Sequence, residues 1–337
     1  MVYSFELLQH ANIRYREAVS RLGRCELLCM LKALGIETSV TEETLGGASF
    51  LTFDSRELTD AEILYLSGHS SVTLMAAREK DLLRPLDHAD TGYLPADLPE
   101  VLKYKGKTSV AFTRMMVNIA LSLTPDPFPS PAKTVLDPLC GKATTGFCAL
   151  QAGMNAVCLD LDRKSLREAD EYFSRYLKLH LLKHARSEGS ETAGSAGIPF
   201  VRYQFADTKE HFAAKDTRFL MLAVGDTENA PALVRRIPVH AIAADLPYGI
   251  QHAPQSGRRP ESFTALLRRV LPAWYRALVP GGALALSFNT LTLSADAVLS
   301  ALASAGFVCP DLTASLFFRH EVEQAVVRDV IFAVKPQ

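Results

Sequence analysis

The string Asp245-Leu246-Pro247-Tyr248-Gly249 follows the apolar run VHAIAAD and combines residue types that can activate an amine. An exocyclic amine on an aromatic ring is a poor nucleophile, because its lone pair is delocalised into the ring. Hydrogen bonds from its two N–H groups to the Asp245 carboxylate and the Leu246 carbonyl favour a pyramidal nitrogen. Pro247 fixes the backbone at that carbonyl, and Tyr248 can stack on an unpaired base. We therefore predict that these four residues are catalytic; a plain strand-end turn is the alternative.

A second string, DPLCGKATTG (residues 137–146), lies between the apolar run KTVLD and a helical stretch. Ligands of open parallel sheets bind at the carboxyl ends of the strands, and a glycine there lets the backbone approach a ligand closely. The residues predicted to contact a cofactor here are Asp137, Pro138, Cys140, Gly141 and Thr144. A tight turn with a capping aspartate is the alternative.

Two further carboxylates follow apolar runs. Asp160 ends NAVCLD, 23 residues after Asp137, which is about where Rossmann-like proteins bind ribose hydroxyls; Asp162 is the alternative. Asp226 follows FLMLAVG and is predicted to accept the amino group of an adenine, with Asp207 as its alternative. Asp245 ends the fourth such run and completes the predicted cofactor site.

From about residue 108 onward, short apolar runs alternate with helical stretches. Such runs suit parallel strands that are buried on both faces, so residues 108–337 are predicted to form a doubly wound, Rossmann-like α/β domain. The segments 312–320 and 324–334 are predicted to form a terminal hairpin. Residues 185–199, rich in Gly, Ser and Glu, are predicted to be a flexible surface loop within a longer insertion, 185–225.

The first 85 residues have a different pattern, in which the predicted elements follow the order β-α-β-β-α-β. This is the order of a ferredoxin-like domain, and such a unit could bind RNA. Residues 86–107 are polar, carry Pro and Gly, and are predicted to be a linker. Lys105, Lys107 and Arg114, at the start of the next segment, could contact RNA phosphates or simply be solvated.

Composition narrows the functional classes. Apolar residues make up 48% and charged residues 22% of the 337 residues, which is typical of a globular protein. No apolar run reaches the roughly 18 residues that span a bilayer, and no signal-peptide core is visible, so we expect a cytoplasmic protein without a membrane partner. The six cysteines lack metal-ligand spacing. The net charge of −1 indicates no partner by itself.

The strings DPLCG, CLDLD, GDTENA and DLPYG, in this order, resemble the motifs of the RNA methylase family that includes the THUMP-associated tRNA guanosine-N2 methyltransferases. DPLCG looks like the family's DPxCGxGT cofactor turn, and DLPYG looks like its D-[PLM]-P-[YF]-G catalytic motif. YKGKTSVAFTRMMVNIAL looks like the segment that helps to cover the cofactor there. The resemblance extends over about residues 100–290 and is weaker over 1–90.

The resemblance implies a class I methyltransferase with S-adenosylmethionine as its cofactor and guanine N2 in tRNA as the expected target. It also implies that a small activator subunit is a candidate partner. In one position the chain departs from the family, because Ala143 replaces the second glycine of DPxCGxGT. If that residue has a positive φ, alanine costs about 1 kcal/mol there.

Three other functions remain open. A DNA methyltransferase acting on adenine N6 or cytosine N4 would use the same chemistry, since both targets are exocyclic amines. A non-catalytic cofactor-binding or RNA-binding subunit is favoured only by Ala143. A nicotinamide-dependent dehydrogenase would carry GxGxxG after the first strand, and DPLCGKATTG does not match it.

Overall fold

The computed structural model of the protein describes most of the chain. The residues that it describes are 1–8, 13–80, 82–86, 92–104, 107–128, 132–194, 196–247, 255–256, 259–260, 262–311, 318–323 and 326–337. None of the helices within these ranges is both long enough and apolar enough to cross a bilayer.

An antiparallel sheet and two helices make up the N-terminal part. Its elements are, in order, β1 (Val2–Leu7), α1 (Ile13–Ala33), β2 (Val40–Leu45), β3 (Ala48–Asp54), α2 (Asp60–Ser67), β4 (Val72–Glu79) and β5 (Leu82–Pro85). The sheet order is β2-β3-β1-β4-β5, and every neighbouring pair is antiparallel. The first six elements follow the predicted β-α-β-β-α-β order, whereas β5 is an edge strand that the sequence pattern did not predict.

Local signals set the boundaries of these elements. The turn between β2 and β3 contains Gly46 and Gly47, with φ of 57° and 87°, a backbone region that glycine enters without steric cost. Helix α2 begins with a capping box, in which Thr59 and Glu62 each accept a hydrogen bond from the other's backbone N–H.

The remaining elements alternate between strands and helices. They are α3 (Leu98–Val101), α4 (Val110–Ser122), β6 (Thr134–Asp137), α5 (Thr144–Gln151), β7 (Asn155–Asp160), α6 (Arg163–Leu179), β8 (His184–Ala193), β9 (Ala196–Phe205), α7 (Lys209–Ala213), β10 (Arg218–Val224), a 3₁₀ turn (Thr227–Asn229), α8 (Ala230–Leu233), β11 (Val239–Asp245), β12 (Gln255–Ser256), β13 (Arg259–Pro260), α9 (Phe263–Ala277), β14 (Leu278–Asn289), α10 (Ala295–Ser304), β15 (His320–Glu323) and β16 (Val326–Val334).

The main sheet has the order β15-β16-β14-β11-β6-β7-β10-β9-β8. Its five central strands, from β14 to β10, are parallel, and the pairs at both flanks are antiparallel. From β6 the chain builds the sheet first through β7 to β10 and then, on the other side, through β11 to β14. The predicted doubly wound α/β domain is confirmed, and its order reverses between β6 and β11, where such sheets bind ligands.

The prediction of a flexible loop over 185–199 is wrong. Strands β8 and β9 pair over ten residues each and extend the sheet beyond β10, and Gly194 provides a φ of 61° at their turn. The Gly, Ser and Glu content reflects a solvated edge: most side chains of β8 are exposed. An edge strand tolerates polar and charged side chains, which discourage pairing with another chain.

The antiparallel terminal pair is present, although its first strand lies later than predicted. Strand β15 begins at His320, the last residue of the predicted segment 312–320, and residues 312–317 lie outside the described part of the chain. Within the predicted linker 86–107, Leu94 and Leu98 are fully buried and pack in the core of the α/β domain. Part of this polar segment is therefore anchored to that domain.

The two parts of the chain pack together at a seam in which α1 lies against α4, and α1 also contacts β15. Glu26 of α1 is fully buried there. Its Oε1 accepts hydrogen bonds from Asn118 Nδ2 of α4 (2.7 Å) and from the backbone N–H of Ser70 (2.9 Å). These bonds satisfy a buried carboxylate that would otherwise destabilise the fold, so they couple the N-terminal sheet to α4.

Candidate functional site

Four acidic residues that were predicted to bind the cofactor lie at the carboxyl ends of parallel strands in the main sheet. Asp137, Asp160 and Asp245 are the last residues of β6, β7 and β11, and Asp226 lies two residues after β10. The order β10-β7-β6-β11 makes these strands neighbours, and all of them are parallel. The structure therefore brings together at one edge the carboxylates that the sequence separates by more than a hundred positions.

The turn after β6 is organised by backbone hydrogen bonds. Asp137 Oδ1 accepts the N–H of Leu139 (3.1 Å), and Asp160 Oδ2 accepts the N–H of Gly141 (2.7 Å). Gly141 has a φ of 50°, and Pro138 is buried beneath the turn. This cross-link ties the end of β7 to the turn, so the two predicted cofactor-binding segments form one unit.

Ala143 stands where a glycine was expected, and its φ is 64°. It is fully buried and serves as the N-cap residue of α5 without a side-chain cap. The condition stated for a cost at this position is met, so Ala143 carries strain of about 1–2 kcal/mol. Its backbone is fixed by a 2.7 Å hydrogen bond from its N–H to the carbonyl of Cys140.

The hydroxyl of Thr144 and the thiol of Cys140, both in this turn, face other protein groups. Thr144 Oγ1 lies 2.9 Å from the hydroxyl of Tyr104, and the Tyr104 ring lies beneath the Lys142 ammonium at 4.8 Å. Cys140 is buried, and burial raises the pKa of its thiol well above the usual value. Because Tyr104 belongs to the segment before α4, that segment covers the turn.

Burial also changes the acid strength of Asp137. Its side chain is only 4% exposed. Burial raises its pKa to about 7, and the nearby carboxylates of Asp160 and Asp245 contribute to the increase. Burial raises the pKa of Tyr104 as well, again with a contribution from Asp137 and Asp245. A positive charge placed beside these groups would therefore be stabilised.

The structure distinguishes between Asp160 and Asp162, the two candidates at the end of β7. Asp162 caps α6, because its carboxylate accepts the N–H of Lys164 (3.0 Å) and the hydroxyl of Ser165 (2.7 Å). These hydrogen bonds lower the pKa of Asp162, and the bond from Ser165 has the larger effect. Asp160 instead faces Gly141, and its Oδ1 accepts the Asp162 N–H (2.9 Å). Asp160 is thus the residue at the turn.

The alternatives for Asp226 are separated as well. Asp207 follows β9, which runs antiparallel to β10, so it lies at the opposite edge of the sheet, where it pairs with His211. Asp226 lies at the same end of the parallel strands as the other three carboxylates. It caps the 3₁₀ turn through the N–H of Glu228 (2.9 Å) and forms an ion pair with Arg269 of α9 (3.1 Å).

Asp245 is held by side chains from distant parts of the chain. Thr108 Oγ1 donates a 2.5 Å hydrogen bond to Asp245 Oδ2, and Arg328 Nη2 of β16 lies 3.8 Å from the same oxygen. Leu246 is buried, and its N–H donates to the Ser287 carbonyl (2.9 Å). Pro247 is half-buried. Tyr248 lies outside the described residues, so its stacking stays a prediction.

Neither Thr108 nor Arg328 was predicted from the sequence to be a partner of Asp245. A signal existed for Arg328, since it is a charged residue within the apolar run VVRDVIFAV. Of the cations expected near RNA, Lys107 donates to the carbonyl of Glu100 (3.3 Å), and Arg114 lines a cavity of about 270 Å³ between α2 and α4. Lys105 lies outside the described residues. Within the described ranges, no three His, Cys, Asp or Glu side chains are grouped to hold a metal ion.

No protein-family model matches the chain, and no curated protein matches its sequence. Several solved structures are similar over part of it. A TehB-like SAM-dependent methyltransferase from Corynebacterium glutamicum is 13% identical (TM-score 0.35; 61% of this chain, 81% of that chain). The protein SMU.776, solved in complex with SAH, is 13% identical (TM-score 0.41; 66% and 48%). An rRNA methylase from Streptococcus thermophilus is 15% identical (TM-score 0.36; 69% and 100%). With identities and TM-scores this low, none of them assigns a function to this chain.

Proposed function

We propose that this protein is an S-adenosylmethionine-dependent methyltransferase that acts on an exocyclic amine of a nucleobase, with guanine N2 in tRNA as its target. The observation that carries the proposal is the place of Asp245. This carboxylate ends β11, is followed by Leu246 and Pro247, and lies on the strand next to the turn that starts at Asp137. An amine acceptor and a cofactor turn therefore meet where the strand order reverses.

The chain's own residues fit the cofactor. Asp137, buried and with its pKa raised to about 7, suits the methionine ammonium, because a cation there would offset the burial of the carboxylate. Asp160 is positioned to accept the ribose hydroxyls, and the backbone at Gly141 leaves room for close approach, since a Cβ built there meets no atom within 4 Å. Asp226 would take the adenine amino group. When bound, the cofactor supplies an electrophilic methyl group.

Asp245 and Leu246 would prepare the nucleophile. The Asp245 carboxylate and the Leu246 carbonyl each accept one N–H of the amine, which weakens conjugation with the ring and directs the nitrogen lone pair away from both acceptors. Asp245 is also the group that holds the proton released when the nitrogen gains its methyl group. Tyr248 would stack on the extruded base. Holding both reactants in this way reduces the entropic part of the barrier.

The choice of RNA is supported by the family resemblance and by the N-terminal part. We propose that this part is ferredoxin-like, because its six predicted elements are present and β3 lies between β1 and β2 in an antiparallel sheet. Its seam with α4 holds it beside the α/β domain, and we propose that it binds the tRNA outside the reacting base. A small activator subunit is a further candidate partner.

Methyl transfer to separate nucleic-acid pools tests the proposal. The protein would be incubated with labelled S-adenosylmethionine and, in parallel, with unmodified tRNA, rRNA and genomic DNA. We expect label in tRNA. Label only in DNA would replace the proposal with a DNA amino-methyltransferase. Cofactor binding without transfer to any pool, even after addition of cell extract to supply an activator, would favour a non-catalytic subunit.

A further inference from the structure

Two of the residues that contact the side chain of Asp245 belong to no motif. The first is Thr108, whose hydroxyl donates to Asp245 Oδ2 over 2.5 Å. Thr108 lies two residues before α4, in the same segment in which Tyr104 contacts Thr144 of the cofactor turn. One short segment therefore contacts both sides of the site, the turn after β6 and the carboxylate at the end of β11.

The second anchor is Arg328, a buried cation in the middle of β16. Its side chain is 5% exposed, and its Nη2 lies 3.8 Å from Asp245 Oδ2. The guanidinium also lies over the ring of Phe112 in α4, with Cζ 4.6 Å from the ring centroid. A cation over an aromatic face is stabilised by the ring quadrupole, so Phe112 fixes the position of Arg328 beside Asp245.

We propose that Thr108 and Arg328 are positioning residues, which together fix the orientation of the Asp245 carboxylate for methyl transfer. The inference rests on the proposed function, and it identifies how that function depends on a segment before α4 and on the last strand of the sheet. Neither residue is placed against the reacting atoms. Each of them acts through Asp245.

The physical reason lies in the freedom of a carboxylate. The torsion that turns a carboxylate group is broad, with no sharp staggered minima, so an unanchored Asp245 would sample a wide range of orientations. Thr108 and Arg328 both act on Oδ2, which defines the plane of the group and therefore the position of its second oxygen. A displacement of about 1 Å in a reacting geometry lowers a rate by up to about 100-fold.

Charge supports the same assignment. The titratable groups that surround Asp245 include the carboxylate of Asp137 on β6 and the phenol of Tyr104, while Arg328 faces it from β16. Arg328 is itself flanked by His320 of β15, whose pKa is lowered to about 4 by burial, with Arg328 contributing. His320 is therefore neutral at physiological pH, and Arg328 is a buried cation that offsets the charge of the carboxylates here.

Kinetics of conservative variants test the proposal. Arg328→Met keeps an unbranched side chain but removes the guanidinium and its charge, and Thr108→Val replaces the hydroxyl with a methyl group. We expect kcat for methyl transfer to unmodified tRNA to fall about 100-fold in R328M and about tenfold in T108V. The KM for tRNA and the affinity for S-adenosylhomocysteine should both change by less than about threefold. The variants Arg328→Lys and Thr108→Ser should retain most of the wild-type kcat, because the first keeps the charge and the second keeps the hydroxyl.

A matched control separates positioning from general loss of stability. Arg202 of β9 lies over the Phe219 ring at 4.3 Å, so Arg202→Met removes the same kind of arginine–phenylalanine contact at the other end of the sheet. R202M should retain wild-type kcat. The proposal is overturned if R328M and T108V keep wild-type kcat, or if R328M loses no more kcat than R202M does.

A stability measurement that needs no activity distinguishes failure of this inference from failure of the proposed function. In urea unfolding, Asp245→Asn and Arg328→Met should be non-additive, since each leaves the other group without its partner. Coupling together with an inactive wild-type protein would overturn the proposed function while the contact stands. Activity without coupling and without a kcat effect would overturn the positioning roles alone.

Discussion

The two sides of the site are held in different ways. On the proposed cofactor side, Asp137 and Asp160 accept hydrogen bonds from backbone N–H groups of residues no more than 19 positions away. On the proposed amine side, Asp245 is contacted by Thr108, which is 137 positions away, and by Arg328 of the last strand. The first geometry is built by a local turn, and the second is built by tertiary packing.

This difference has a functional consequence. A turn fixed by its own backbone tolerates side-chain changes elsewhere in the protein, whereas a carboxylate fixed by remote side chains depends on the whole sheet. Changes on the cofactor side should therefore affect binding, and changes on the amine side should affect the chemical step. Substitutions on each side test whether cofactor binding and the chemical step can be changed independently.

The largest effect is expected on the amine side. Asp245→Ala removes the acceptor of the substrate N–H and of the released proton, so methyl transfer should fall by at least about 1,000-fold. Binding of S-adenosylhomocysteine, measured by calorimetry, should stay within a few-fold of wild type. Retained transfer would contradict the role of Asp245, and lost cofactor binding would show that the two sides are not separate.

The opposite pattern is expected for Asp160→Ala. Loss of charged hydrogen bonds to two ribose hydroxyls should weaken cofactor binding about 100-fold, whereas kcat at saturating cofactor should change little. Asp162→Ala is the matched control, since Asp162 caps α6, and it should lower stability but not cofactor affinity. Equal effects of the two substitutions on affinity would refute the assignment of Asp160.

A smaller effect of pH is expected from Asp137. Its pKa is raised to about 7 by burial, so the carboxylate becomes ionised as pH rises through about 7. Affinity for S-adenosylhomocysteine should therefore increase by up to about tenfold between about pH 6 and pH 8. Asp137→Asn should bind more weakly and should lose this increase.

The raised pKa of Asp137 also affects the free energy of unfolding, and its contribution decreases as pH rises. A carboxyl with a raised pKa binds more protons in the folded than in the unfolded chain between about pH 4 and pH 7. The stability that Asp137 contributes is thus present at low pH and is lost as pH rises through this window. In D137N, thermal unfolding should depend less on pH over that range, and an unchanged dependence would contradict the burial effect.

The smallest effect concerns Ala143. In Ala143→Gly, relief of about 1–2 kcal/mol of left-handed strain opposes the loss of a buried methyl, about 0.8 kcal/mol, and the greater flexibility of the unfolded chain. We expect a stability within about 0.5 kcal/mol of wild type by urea unfolding. Ala149→Gly, equally buried in α5, has no strain to relieve and should cost about 2 kcal/mol. Equal losses in both variants would contradict strain at Ala143.

The same contrast explains what could be predicted from the sequence. The β-α-β-β-α-β order of the N-terminal part was predicted and is found, and the five central strands were predicted from their apolar runs. The carboxylates were found because each ends or closely follows such a run. In these cases the signal lies within a short stretch of chain, where hydrophobic periodicity and turn residues decide the structure.

What the sequence could not provide depends on contacts between distant residues. Residues 185–199, which include most of β8 and the start of β9, were interpreted as a loop, because a solvated edge strand has the composition of a loop. Only the pairing of β9 with β10 distinguishes the two. The charge of Arg328 within an apolar run is unusual, but no local pattern at Thr108 or Arg328 indicates Asp245 as a partner. The contact of Arg328 with Asp245 follows from the sheet order, which places β16 beside β14 and β14 beside β11, and the contact of Thr108 follows from the packing of α4 against β11.

The position of the transferred methyl group tests the central claim most directly. The protein would be incubated with unmodified tRNA and S-adenosylmethionine carrying a deuterated methyl group, and the digested nucleosides would be analysed by mass spectrometry against synthetic standards. The account predicts a deuterated methyl on guanine N2 in the wild type and none with Asp245→Ala. A deuterated methyl on a ring carbon, a ring nitrogen or a ribose oxygen would contradict it, because those positions do not use paired N–H acceptors at Asp245 and Leu246.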